Sequence, residues 1–414
     1  MINGTVLFAI ILYAALALWL LYRDGLIRKP WIAVLCAVLV AAALAARASV
    51  FDMQTGDYRD WLARWMSYYR ENGGFKAFKE LPPYCNYHVP YLYFLALFSY
   101  LRVPELYLIK LLSVLFDILL AWAVMKLCGR MTGNRGLRLC AFFAALFWPT
   151  VFLNSAVWGQ CDSIYVAFAL LGLWLGLTDR PILSMLCFTL SFGFKLQAVF
   201  LMPIMAVLWF RGNYKLWHFA LFPVFYVLLV LPAVLLGKPF MDTITLYASQ
   251  TGSIGSGLNY NSPSVYAFFW RSPETQDAAN LGIVAAFTYM AALLLFCFFR
   301  RKMLNERAVL AAALLFAVGI PFFLPHMHER YFFAADVLSV VLGSACILCI
   351  PAAALTQFAS LLGYYAYLNM RYLLYVDHGA RALIVVMVLA FIQLLYETAD
   401  HGISENLSNS KKQP

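Results

Sequence analysis

Runs of about twenty apolar residues, separated by short polar stretches, recur along nearly the whole chain and leave few folds open. Crossing about 30 Å of hydrocarbon takes roughly 20 such residues. Where water is absent, every backbone N–H and C=O must be paired within the protein, which admits helices or closed barrels. Barrel strands are alternating segments of about ten residues. The runs here are longer and apolar throughout, so an all-α, polytopic helical bundle is expected. Composition agrees: of 414 residues, 64% are hydrophobic and 12% charged, with a mean hydropathy of +0.77. A water-soluble chain of this length needs a larger polar exterior than these residues can supply.

The runs place about thirteen crossings, at 2–22, 31–50, 105–127, 139–157, 163–178, 181–195, 197–210, 215–236, 279–299, 308–324, 331–350, 352–370 and 380–397. Residues 1–22 lack a basic start and read as a first span rather than a cleaved signal. Residues 1–399 read as one integral-membrane domain, with outer loops at 52–101 and 237–278. The polar tail 400–414 is expected to lack fixed structure.

Orientation follows from the cations. They cluster at Arg23, Arg28 and Lys29; at Lys126, Arg130, Arg135 and Arg138; at Arg211 and Lys215; and at Arg300, Arg301, Lys302 and Arg307. The positive-inside rule puts all of them in the cytoplasm, and this holds only if 87–101 does not cross. That run is short, opens on NYHVPYLY and contains Pro90, so an interfacial or re-entrant helix is expected. The N-terminus then lies outside a cell membrane and the C-terminus in the cytoplasm. The net charge of +10 reports topology, not a nucleic-acid partner. The nine cysteines carry no Cys/His metal spacing. Cys85 and Cys161 alone fall in polar motifs, and a disulfide between them is left open.

The same topology gathers the polar motifs on the outer face: residues 52–86, WGQCDS (158–163), the turn at Lys195, and HMHERYF (326–332). In the first of these, GDYRDWLARWMSYYRENGG reads as an amphipathic interfacial helix with Trp61, Trp65 and Tyr69 on one face. Asp57 starts that helix at headgroup level, where a carboxylate can take a proton from a substrate hydroxyl; Asp52 is the second candidate. Asp162 opens a helix beside Gln160, and a helix cap and a substrate contact are both open readings. Trp158 suits an interface anchor or a stacking platform for a sugar ring. Lys195 stands alone in an apolar stretch, which costs about 3 kcal/mol on insertion scales and marks a functional candidate. It reads as a phosphate ligand or as a lysine snorkelling to the interface. In HMHERYF, Arg330 has the planar donor fork that suits phosphate, and His328 can share the anion. The HxHE spacing matches no standard zinc signature; no metal site is assigned and no cofactor is implied, although a divalent ion stays possible. Mid-span Asp117 is expected to be a structural partner of Lys110 or Lys195.

The ordered set GDYRDWLARW, NYHVPYLYFL, IKLLSVLFDILLA, LNSAVWGQCDSIY, FGFKLQAVFLMP and MHERYFFAADVL resembles bacterial membrane glycosyltransferases of the GT-C superfamily. Within it, the chain is similar to relatives of the phosphatidylinositol-glycan mannosyltransferase II family, over about residues 50 to 350. The resemblance implies transfer of a sugar, mannose or another hexose, from a polyprenyl-phosphate donor to a glycan, glycolipid or protein acceptor on the outer face, with inversion. It implies Asp57 as general base. It further implies Lys195, His328 and Arg330 at the leaving phosphate, and Trp158, Gln160, Asp162 and Glu329 at the sugars. Tyr87, Tyr91 and Tyr93 would border a groove for the polyprenyl tail. Two other readings share the polytopic architecture: a transporter or flippase of lipid-linked saccharides, which should show paired repeats and charges at the midplane, and a saccharide polymerase.

Overall fold

The computed structural model describes residues 4–250, 257–269 and 275–399. The expected tail at 400–414 and parts of the loop 237–278 lie outside these. Eight described helices are long and apolar enough to cross a membrane: Gly4–Arg23, Pro30–Ala48, Glu105–Met131, Leu216–Leu235, Gln276–Phe299, Glu306–Phe323, Ile347–Asn369 and Val376–Glu397. The bent pair Arg135–Leu146 and Pro149–Trp158, at 43° to each other, is together long and apolar enough for a ninth. Asp162–Leu177, Pro181–Phe194, Leu196–Arg211 and Phe333–Ala345 are shorter apolar helices. With them, every apolar run read from the sequence as a crossing is helical. Each of these short helices begins or ends against one of the polar motifs, at Asp162, at Lys195 or just after Arg330.

The bundle has two chemically different ends. At one, Lys126 pairs with Asp24 at 2.7 Å, Arg130 with Glu306, and Arg307 with Glu397 at 3.7 Å. The basic loops therefore meet there. The alternating direction of the helices carries residues 49–104, 158–163, 195, 257–269 and 324–332 to the other end. The helix Val89–Phe98 has ten residues, roughly 15 Å of length, so it cannot cross and the chain re-enters from the same end, as expected.

Local departures from the sequence reading have clear causes. Residues Tyr58–Leu62 form a π-turn before the α-helix Ala63–Glu71. Its wider turn slips the helical phase, so Trp61 leaves the buried face and is 43% exposed while Trp65 and Tyr69 are buried. Asp117 does not pair with Lys110 or Lys195. Arg47 reaches it across the bundle, Nε to Oδ2 at 2.8 Å, and Ser155 and Ser163 donate to it at 2.5 and 2.6 Å. Lys110 instead donates to the carbonyls of Val50, Phe51 and Met53 just past the second span. Asp117 thus anchors both sides of the turn that carries WGQCDS. Tyr93 bridges the kink that Pro232 makes in the helix Leu221–Leu235. Its hydroxyl donates to the Leu229 carbonyl at 3.2 Å and accepts from the Ala233 amide at 3.1 Å. All nine cysteines, Cys85 and Cys161 included, are free.

Candidate active site

Asp57 sits where the chain leaves the second span and turns into the π-turn. Its carboxylate accepts hydrogen bonds from Trp158 Nε1 at 2.9 Å, Gln160 Nε2 at 2.7 Å and the Tyr367 hydroxyl at 2.8 Å. Arg330 Nη1 lies 3.7 Å away. An ionised carboxylate offers about four acceptor positions. Three are filled by protein donors that fix its orientation, and the side chain remains 23% exposed, enough to receive a substrate hydroxyl. Asp52 is separate: it is exposed and accepts from the Tyr107 hydroxyl.

The Asp57 donors come from a second unusual turn. Residues Leu153–Trp158 are π-helical and end at Gly159 with φ +76°, a left-handed conformation that glycine adopts without penalty. That reversal presents the Trp158 indole and the Gln160 amide on one side. Gln160 is itself positioned: its Oε1 accepts from the Tyr87 hydroxyl at 2.9 Å, and its carbonyl accepts from Ser113 Oγ at 2.7 Å. Trp158 stacks on Tyr367 with centroids 4.2 Å apart and planes 10° apart. Buried Trp158 therefore orients Asp57 rather than presenting a free platform.

Arg330 is the hub of the cluster. Nη1 is 2.9 Å from Glu329 Oε1, Nε is 3.9 Å from Asp162 Oδ2, and the guanidinium lies over the Trp158 ring at 5.4 Å. Burial works against its charge, but Glu329, Asp57 and Asp162 more than offset this and raise its pKa. Glu329 is nearly inaccessible; burial outweighs the attraction of Arg330 and pushes its carboxyl up to about 7. Asp162 is shared between Lys195, which pairs with Oδ1, and Asn154 Nδ2, 2.7 Å from Oδ2. Lys195 is buried at the break between two short helices. It is thus an inward-facing cation, not a snorkelling one.

Residues 326–329 reach the site on a short parallel bridge, with Met327 and His328 paired to Asn259 and Tyr260. Gly363 makes room for it, since a Cβ there would come within 2.6 Å of the Asn261 carbonyl and 2.8 Å of Glu329 Cβ. His328 stacks on Tyr260 at 4.7 Å. Partial burial, then Arg330, lower its pKa to about 3. Beside this bridge, Asn259, Asn261, Tyr266, Gly282, Phe323 and Tyr372 help to line an apolar cavity of about 820 Å³. Tyr87, Tyr91 and Tyr93 are not among its lining residues. Tyr91 is buried, Tyr93 braces the Pro232 kink, and Tyr87 belongs to the Asp57 relay.

The structure brings together Asp57, Trp158, Gln160, Asp162, Lys195, Glu329 and Arg330, places His328 at their edge, and leaves Asp52 apart. It adds Tyr367, Tyr364 and Asn154, which donates from Nδ2 and, among the described residues, has no donor to its buried Oδ1. Tyr367 and Tyr364 sit in GYYAYLN near the end of a span, where tyrosines ordinarily mark the membrane interface; nothing in the sequence singled them out. Among the described residues, no three His, Cys, Asp or Glu side chains are grouped to hold a metal.

A part-exposed carboxylate thus stands beside a half-buried arginine and a buried lysine at one end of the bundle. Residues 95–211 match the family described as alpha-(1->6)-mannopyranosyltransferase, N-terminal domain. With the membrane-length helices, this match makes the protein a membrane glycosyltransferase. The matched segment carries WGQCDS and Lys195; Asp57 and Arg330 lie on either side of it. No curated protein matches the chain.

Proposed function

We propose that the protein transfers a hexose, mannose by the description of the matched family, from a polyprenyl-phosphate donor to an acceptor hydroxyl. The motif resemblance to relatives of the phosphatidylinositol-glycan mannosyltransferase II family supports this donor, and so does an apolar cavity that runs up to the His328 bridge. Asp57 removes the acceptor proton. The acceptor oxygen attacks the anomeric carbon, and the bond to the donor phosphate breaks with its electrons on the phosphate oxygen. Arg330 and Lys195, with a hydrogen bond from neutral His328, stabilise that charge, the term that commonly dominates such steps. One in-line displacement inverts the anomeric centre. Asp162, Glu329 and Gln160, themselves buried, hold Lys195, Arg330 and Asp57 toward the sugars. The basic end of the bundle faces the cytoplasm under the positive-inside rule, which puts the N-terminus and the site outside.

The observation that carries this reading is the approach of Asp57 to Arg330 at 3.7 Å, a base and an anion-stabilising cation in one opening. The test is transfer from radiolabelled polyprenyl-phosphate mannose by membranes containing the protein. Asp57→Asn should abolish transfer while the variant melts like the parent. Undiminished transfer by Asp57→Asn would remove the base and with it this mechanism.

A further inference from the structure

At the bundle end opposite Asp57, a polar cavity of about 520 Å³ is bounded by Asp179, Arg211, Asn213, Arg301 and Lys302. The chain is shaped to form it. After the helix Leu196–Arg211, Gly212 takes φ +97°, a conformation other residues resist. The reversal turns Arg211 and Asn213 toward each other, and Arg211 Nη1 donates to Asn213 Oδ1 at 2.7 Å. Asn213 Nδ2 donates in turn to Asp179 Oδ1 at 2.9 Å, and Arg211 Nε is fixed on the Leu304 carbonyl at 2.8 Å. The guanidinium is therefore set in place ahead of any ligand, and no hydrogen bond from its Nη2 to a described residue is seen.

Charge at this cavity is left uncompensated. Elsewhere at the same end, Lys126, Arg130 and Arg307 have carboxylate partners, while exposed Arg28, Lys29, Arg135 and Arg300 have none among the described residues but do not line this cavity. Arg301 donates only to the Phe298 carbonyl, and neither it nor Lys302 has an ion pair among the described residues. The lining holds three cations against one carboxylate, and Asn213 already occupies an oxygen of that carboxylate. The neighbouring surface is apolar and aromatic: Trp209 is 40% exposed, Trp217 54%, Leu216 69% and Phe299 74%. Such a belt sits at the level of lipid headgroups. A ligand suited to both features carries a phosphate on an apolar body, and the planar arginine fork fits phosphate oxygens.

We propose that this cavity binds the phosphate of an anionic phospholipid headgroup at the membrane face opposite the active site. A ligand that binds only the folded state stabilises it by mass action, so thermal unfolding of the full chain in detergent reads the interaction. Phosphatidylglycerol added to the micelles should raise the midpoint by a few degrees, and phosphatidylcholine should not. The rise should vanish in R301E/K302E and persist in R28E/K29E, an equal charge change in the exposed loop between the first two spans. R301Q/K302Q replaces the first variant should that one fail to fold. A rise that survives R301E/K302E, or no rise in the parent, overturns the proposal. Loss of the rise in R28E/K29E as well would reduce the effect to general surface charge and overturn it too. An equal rise with inorganic phosphate or pyrophosphate would assign the cavity to a soluble ligand instead of a lipid.

Discussion

Trp158 and Asp57, 101 positions apart in sequence, are joined by a hydrogen bond of 2.9 Å from the indole Nε1 to Oδ2. The same indole stacks on Tyr367, whose hydroxyl donates to the other carboxylate oxygen at 2.8 Å and accepts from the Asp57 amide at 3.2 Å. Asp57 is thus held from three elements: its own turn, the 153–160 turn and the end of the helix Ile350–Asn369. The proposed proton transfer depends on fixing Asp57 relative to its target, since small misplacements are costly.

Tyr367→Phe isolates that positioning. It keeps the ring on Trp158 and removes only the hydroxyl. A hydrogen bond to a charged group is worth about 1.5–3 kcal/mol, so kcat should fall roughly 10- to 100-fold. The KM for a lipid-linked donor should change little, because the proposed mechanism assigns the donor phosphate to other side chains. Steady-state kinetics with both substrates varied separate the two constants; a pure KM effect would place Tyr367 at the substrate instead.

Glu329 gives a pH dependence with a definite sign. Its ordinary pKa of 4.5 rises to about 7 in the folded protein. A carboxyl with a raised folded pKa favours folding least when ionised. Its burden is absent below about pH 4.5, grows from there to pH 7, and is complete above. A carboxyl raised this far costs the folded state about 3 kcal/mol at most. Glu329→Gln should therefore leave the thermal midpoint little changed at pH 5 and raise it relative to the parent at pH 8. A constant difference across that range would show that burial does not hold the proton.

The apolar cavity beside the His328 bridge makes a separate prediction. Ala285 lines it from the helix Gln276–Phe299 and is half-buried, so Ala285→Trp fills space without touching the carboxylate cluster. With a polyprenyl donor the KM should rise several-fold, while a short-chain prenyl-phosphate sugar should be used about as well as by the parent. Equal effects on both donors would argue that the tail lies elsewhere.

Much of this architecture was legible before the coordinates, and the reasons are specific. Hydrocarbon thickness sets the length of each apolar run, and the cation clusters at Arg130 and Arg301 set their direction, so the non-crossing helix Val89–Phe98 followed by elimination. The residues of the Asp57 cluster were legible because a charge such as Lys195 is conspicuous in an apolar context. Partner choice was not. Asp117 has Lys110 two turns away on its own helix, yet Arg47 wins because it enters from a neighbouring helix at the right depth, which no periodicity encodes. Tyr367 stayed hidden because a tyrosine at a span end looks the same whether it faces lipid or a carboxylate. The phase slip at Tyr58–Leu62 was equally invisible, since π-turns leave no compositional mark.

The Arg47–Asp117 pair ties this packing to the site. Both side chains are at most 1% exposed, and Asp117 also accepts from Ser155 and Ser163, which flank the turn bearing Trp158 and Gln160. Removing one charge strands the other in a dry interior, a cost of about 3–5 kcal/mol, whereas replacing both with apolar groups of similar volume is often neutral. Arg47→Met should therefore lower the thermal midpoint and protein yield sharply, and Arg47→Met with Asp117→Leu should recover much of both. Transfer activity should not recover in parallel. The double variant still lacks the carboxylate that Ser155 and Ser163 share; Ser155 keeps only the Val151 carbonyl of its own turn, so the turn that aims Trp158 and Gln160 at Asp57 loses its tie to the neighbouring helix. Thermal melts and transfer assays on the same preparations check this. Full activity in the stable double variant would show that the turn is held by its backbone alone.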